Sequence, residues 1–513
     1  VEEVPFVQGF DMVRAGGAGA SDEHAAPAPA APQPSASAST LRHQVETASK
    51  EAVIGGVPGG VIRGVIGGTV GGVIGYDSPP GWPEVPQFGS ERAGESYRHV
   101  TESAFRSPLI APLSTFAVDV DTASYAIVRS YLTRGRLPPP DAVRAEEFVN
   151  AFRYHDVVPS GTDVLAATTE VSDCPWAPGH RLVRIALRTP DIDDRDVPPR
   201  NLVFLLDVSG SMEGKLPLLK AALRLLASRL RPEDTVAIVT FARVVTVALE
   251  PTPGGGGSVL AAIDSLVAEG STDGAGALEA AYALIAKHHD PAAINRVILA
   301  TDGDFNVGVT SQGELTRLIE EKRTSGVFLS VLGVGTGNVK DSTMEKLADR
   351  GNGNYAYLDS LHEARRVLLS EGGATLVTVA QDVKIQVEFN PALVGRYRLI
   401  GYENRLLASQ DFNDDRKDAG EIGAGHTVTA LYELVPPGED GGTPAVDPLK
   451  YQRPATPAGQ HRDEVMTVKL RYKAPGEATS RLLSVGVKNR PAELSPNLGF
   501  AAAVAEFGML LRR

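Results

Sequence analysis

Between residues 201 and 370 the chain alternates short apolar runs with longer stretches of helical periodicity. Leu202 to Leu206 is a continuous apolar run of strand length. From Gly214 to Leu230 the residues Leu218, Leu219, Ala222, Leu225, Leu226 and Leu230 recur at helical spacing. Further strands are expected at 235–241, 296–300, 327–332 and 355–358, with 244–249 as an antiparallel hairpin partner at the edge. Helices are expected at 258–268, 275–288, 312–323, 342–349 and 361–369. Strands and helices in this alternation predict an α/β domain with a doubly wound, Rossmann-like, mainly parallel sheet. Right-handed crossovers then bring the loops at the carboxyl ends of its strands to one edge, where such sheets bind ligands.

The flanks carry a different rhythm. Residues 1–95 read as a disordered linker: Ala25 to Thr40 is rich in Ala, Pro and Ser, and Gly55 to Gly75 repeats a Gly-Gly-Val-like unit. Residues 110–200 read as a small α+β domain. It opens on a strand at Phe116 to Val120 and a helix carrying Tyr125, Val128 and Leu132; a second helix starts near Asp141. Strands follow across 164–190, where Arg181 to Leu187 alternates, and these pack beside the α/β core. Residues 375–513 read as a β-rich domain, broken by a polar loop at 438–458 and ending in an apolar helix from Gly499. The chain begins at Val1 and its last residues look like the interior of a helix, so both true ends are expected to lie elsewhere.

Composition narrows the function classes. A net charge of -13 over 513 residues disfavours a general nucleic-acid partner, because the phosphate backbone repels it. No run of 18 apolar residues exists to span a membrane as a helix. Cys174 is the one cysteine, which excludes an intrachain disulfide and reads as a small buried filler.

The chemistry gathers where the first strand ends. Asp207, Ser209 and Ser211 sit just before a helix, with Gly210 letting the backbone turn tightly. One carboxylate and two hydroxyls are hard oxygen donors and suit Mg²⁺ or Mn²⁺ better than zinc. Gly270-Ser271-Thr272-Asp273 follows, and then Thr301-Asp302-Gly303 after another apolar strand. This order resembles the metal-ion-dependent adhesion site of von Willebrand factor type A (vWA) domains, in which Asp-x-Ser-x-Ser, a Thr and an Asp lie on three loops. The resemblance implies a metal site of Asp207, Ser209, Ser211, Thr272 and Asp302, with Asp207 and Asp302 acting through water. It extends to the flanks: 115–152 resembles the N-terminal companion domain of a bacterial vWA family, and 375–513 its C-terminal domain of unknown function.

Other motifs come to nothing. His362-Glu363 lacks a second histidine for a zincin, since position 366 is Arg. Gly214-Lys215 lacks the rest of a phosphate loop, and no Gly-x-Ser-x-Gly elbow is present. Asp119, Asp121 and Ser124 read as caps and turn formers, and His288-His289 as solvated groups at a helix end. No catalytic residue is proposed and the chain is read as a non-enzyme. The resemblance implies a metal-dependent protein-binding or adhesion module whose ion accepts an Asp or Glu from a protein partner, with Gly303, Asp304 to Asn306 and Gly308 around the open position. It also implies a cell-envelope, periplasmic or extracellular location. The alternative is a scaffold in a cell-envelope assembly, its metal only structural. A hydrolase would need a positioned base, and only Asp304 offers one.

Overall fold

The computed structural model describes residues 95–118, 121–161, 163–193, 195–271, 276–303, 312–335, 340–371, 376–438 and 463–513. The expected N-terminal linker, Asp119, Thr272, residues 304–306, Gly308 and the 439–458 part of the polar loop lie outside the described residues.

The chain opens with β1 (Leu113–Ala117), α1 (Ala123–Thr133), α2 (Ala145–Asn150), β2 (Ala166–Asp173) and β3 (Arg181–Arg188). The helix expected from Asp141 begins later. A single 3₁₀ turn at Pro140–Ala142 comes first, and Val143 and Arg144 are extended before α2 starts.

The α/β domain follows as β4 (Arg200–Asp207), α3 (Leu216–Ala227), β5 (Thr235–Phe241), β6 (Val245–Pro253), α4 (Gly257–Ser265), α5 (Ala277–Lys287), β7 (Ile294–Thr301), α6 (Gln312–Thr324), β8 (Val327–Val334), α7 (Asp341–Arg350), β9 (Tyr355–Leu358) and α8 (Leu361–Arg365). The predicted helix over 361–369 is α-helical only through α8 and continues as a π-helical turn at Arg366–Glu371. The sheet runs β6-β5-β4-β7-β8-β9, parallel except for β6, which pairs antiparallel with β5. Its central strand is buried on both faces, as a doubly wound sheet requires. Leu202, Phe204 and Leu206 meet α3 and α4 on one side, while Val203 and Leu205 meet α5 on the other. From β4 the chain first winds outward to β5 and β6, then returns to β7 on the opposite side of β4. The crevice between the ends of β4 and β7 is therefore the topological switch point.

The C-terminal part adds β10 (Thr378–Phe389), β11 (Arg396–Ile400), β12 (Gly420–Gly423), β13 (Thr427–Val435), β14 (Glu464–Lys473), β15 (Arg481–Lys488) and α9 (Pro496–Leu511). The two flanks do not stand apart as an N-terminal and a C-terminal body. β1 pairs with β10 in a sheet of order β1-β10-β14-β15, with β12 also on β10, and β3 pairs with β13 in a sheet of order β11-β13-β3-β2. Phe116, Val183, Ile185, Ile385, Phe389, Tyr432 and Leu470 share one core, so the two sheets form a single sandwich. The α/β domain is inserted between its strands β3 and β10. The apolar face of α9 closes one side against α2, through Ala501, Ala502 and Ala505 on Ala145 and Val149.

Partly buried ion pairs hold the insert to its host. Arg129 on α1 reaches Asp359 and Glu363, and Arg405 reaches Asp349. Asp121, expected as a turn former, instead accepts a hydrogen bond from the Tyr355 backbone (2.7 Å) besides its pair with Arg405. Ser124 acts as a fastener: its Oγ donates to the Ala142 carbonyl (2.6 Å) and accepts from the Arg144 backbone (2.8 Å). Cys174 is buried as expected, and burial pushes its thiol up to about 12.

Candidate metal centre

Asp207 is the last residue of β4 and Thr301 the last of β7, neighbouring parallel strands in the register Leu206 opposite Ala300. The Asp207 carboxylate is fully buried and both its oxygens are engaged. Oδ1 accepts from the Ser209 backbone and Oδ2 from the Thr301 hydroxyl, each at 2.9 Å. Burial pushes this carboxyl above its ordinary range, with the nearby Asp302 charge adding to the effect, while the hydrogen bonds from Ser209 and Thr301 oppose it.

Past β4 the chain makes a 3₁₀ turn at Gly210–Met212 before α3, which starts at Leu216 with Pro217 in its first turn. Gly210 is required less for its dihedral angles than for proximity. Its N–H donates to the Gly270 carbonyl (2.9 Å), and a Cβ there would lie 3.2 Å from that oxygen. A second bond, from the Glu269 N–H to the Val208 carbonyl (2.8 Å), fastens the same two loops together. The loop leading to Thr272 is thus held against the Ser209 turn up to Gly270.

Ser209 is buried and Ser211 exposed, and their hydroxyl oxygens lie 3.1 Å apart. Adjacent vertices of an octahedron with metal–oxygen bonds of about 2.0–2.1 Å are roughly 2.9 Å apart, so this pair has the spacing of two neighbouring Mg²⁺ ligands. Among the described residues no group of three His, Cys, Asp or Glu is placed to hold a metal.

Asp302 is buried on the neighbouring loop, and its Oδ2 accepts from Lys215 Nζ at 2.7 Å. Gly303 follows at φ +99°, where a Cβ would come within 2.6 Å of the Lys340 nitrogen; only glycine permits that approach. Of the five sequence-derived residues, the fold brings Asp207, Ser209, Ser211 and Asp302 to the ends of β4 and β7. Two participants were missed by the sequence reading. Thr301 was seen only as the residue that precedes Asp302 after an apolar strand, with no role of its own. Lys215, four residues beyond Ser211, was compared only with a phosphate loop.

Comparison with known proteins agrees with the architecture. A von Willebrand factor family profile matches residues 91–184, the von Willebrand factor type A domain matches 201–367, and the profile for the C-terminal part of the uncharacterized protein YfbK matches 374–513. The uncharacterized protein YfbK of Escherichia coli (strain K12) is 42% identical over 427 residues, which are 81% of this chain and 74% of that protein. Human inter-alpha-trypsin inhibitor heavy chain H2 is 25% identical over 171 residues, 31% of this chain and 18% of that protein. Among solved structures, a von Willebrand factor type A protein from Catenulispora acidiphila covers 64% of this chain and 74% of its own at 16% identity and a TM-score of 0.39. Among the described residues no helix is long and apolar enough to cross a membrane.

Proposed function

Because the chain belongs to the family of bacterial vWA proteins that includes E. coli YfbK, we propose that it is a non-catalytic binding module in which Ser209, Ser211 and Thr272 hold a divalent cation, Mg²⁺ or Mn²⁺. The observation that carries the reading is the pair of serine hydroxyls 3.1 Å apart at the switch point. Asp207 and Asp302 lie behind them as outer groups: both Asp207 oxygens are already hydrogen-bonded, and Asp302 is paired with Lys215. When bound, the cation supplies an electrophilic position, because neutral hydroxyls leave most of its charge uncompensated. An Asp or Glu of a protein partner is the natural occupant of that position.

Calorimetric titration of Mg²⁺ and Mn²⁺ into the full chain, beside Asp207→Ala, tests the reading. One ion per chain, lost in the variant, supports it; equal binding by both proteins removes it. Partner capture from an extract with and without EDTA then separates this reading from the scaffold alternative. That alternative draws on the ion pairs fixing the vWA domain to the sandwich. For a scaffold, capture survives both EDTA and Thr272→Ala.

A further inference from the structure

Lys215 has no place in the five-residue pattern, yet its ammonium lies 2.7 Å from an oxygen of Asp302. The Asp302 side chain is fully buried and that of Lys215 is only 14% exposed. Solvent therefore screens the pair weakly. The position of the ammonium is built rather than incidental. The lysine stem runs across Gly335, where a Cβ would come within 2.2 Å of Lys215 Cδ, so the backbone there leaves a groove of the stem's own width. Gly335 adopts φ +89°, a conformation that glycine takes without strain. Lys215 also belongs to the turn that carries Ser209 and Ser211, its N–H donating to the Met212 carbonyl (2.9 Å). The ammonium thus shares a short rigid segment with the hydroxyl pair, while its counter-ion sits on the loop after β7.

We infer that Lys215 is an internal counter-cation of the site, which keeps one carboxylate engaged so that tight divalent binding requires a carboxylate from outside. The inference rests on the function proposed above and specifies how the site is regulated. Among these three residues Asp207 and Asp302 contribute two negative charges and Lys215 one positive, so the lysine offsets half of the negative charge that the two carboxylates would present to a dication. The Asp302 oxygen held by Lys215 is also unavailable for direct coordination. An incoming Asp or Glu restores the missing charge, so ion and partner bind cooperatively. In the absence of a partner the ion is held loosely.

The test is Mn²⁺ calorimetry on the full chain and on Lys215→Gln, Lys215→Met, Lys215→Arg and Asp207→Ala, each with and without acetate as a surrogate carboxylate. Glutamine keeps a polar end without the charge and methionine keeps an apolar stem, and thermal unfolding of each guards against a variant that simply misfolds. Removing one positive charge a few ångströms from a dication predicts tightening of roughly 10-fold or more in the Gln and Met variants. Acetate strengthens Mn²⁺ binding in the wild type and in Lys215→Arg, and does so much less in the neutral variants. A residue that merely braces Asp302 would not change the acetate dependence. The inference falls if Lys215→Gln binds Mn²⁺ no more tightly than wild type while Asp207→Ala abolishes binding. Absence of any Asp207-dependent binding in every protein overturns the metal reading, and this inference with it.

Discussion

Arg144 donates through both terminal nitrogens to Asp341, at 2.6 and 3.2 Å, and its Nε reaches Glu147. The guanidinium is 3% exposed and the Asp341 carboxylate fully buried. The pair joins the segment leading into α2 to the first residue of α7, so it couples the host sandwich to the inserted domain. Removing one member of a buried pair leaves the other charge uncompensated. Arg144→Met is expected to cost about 3–5 kcal/mol, read from the urea midpoint with the slope unchanged. A loss below about 1 kcal/mol would mean that the two bodies are held elsewhere.

Termination of the chain at residue 370 removes β10, β11, β13 and β14, and with them most partners of Phe116, Val183 and Ile185. Unpaired strand edges and an uncovered apolar face promote association. The shortened chain is therefore expected to elute as aggregate or to lose its cooperative β-sheet transition. A monomeric fragment melting like the full chain would contradict the shared core.

Thr301→Val keeps the shape of the strand end but leaves Asp207 Oδ2 without the hydroxyl that donates to it. A buried acceptor left unsatisfied costs about 1–3 kcal/mol. Thermal unfolding should show that loss, and Mn²⁺ affinity should fall along with it because Asp207 is no longer oriented. Unaltered affinity in Thr301→Val would remove Asp207 from any role behind the serines.

His426, in the turn between β12 and β13, has Arg153, Arg188 and Arg366 around it; burial, reinforced by those three charges, pushes its imidazole from 6.5 to about 4. Between these values the unfolded chain binds a proton that the folded chain does not. Its contribution is therefore complete above pH 6.5 and is lost as pH falls towards 4. Unfolding free energies from pH 7 to 4 should fall less steeply in His426→Gln than in wild type. Parallel curves would show that other groups control the acid limb.

Local sequence was sufficient wherever the signal is local. The apolar run 202–206 ending in Asp207, and the serines two and four residues on, mark a strand end and a turn because each depends on neighbours in the chain. The alternation of strands and helices likewise determines a doubly wound sheet, since short right-handed crossovers leave few other arrangements. Tertiary structure decided what depends on distant partners. β3 and β13 are both apolar-rich runs buried along nearly their whole length, and such a run announces a strand but not which strand lies alongside. The pairing of Ile185 with Ala430 is thus invisible until the chain folds. Lys215 and Asp302 are 87 residues apart, and nothing near either residue announces the other. Only the placement of β4 and β7 side by side at the switch point brings ammonium and carboxylate to within 2.7 Å of each other.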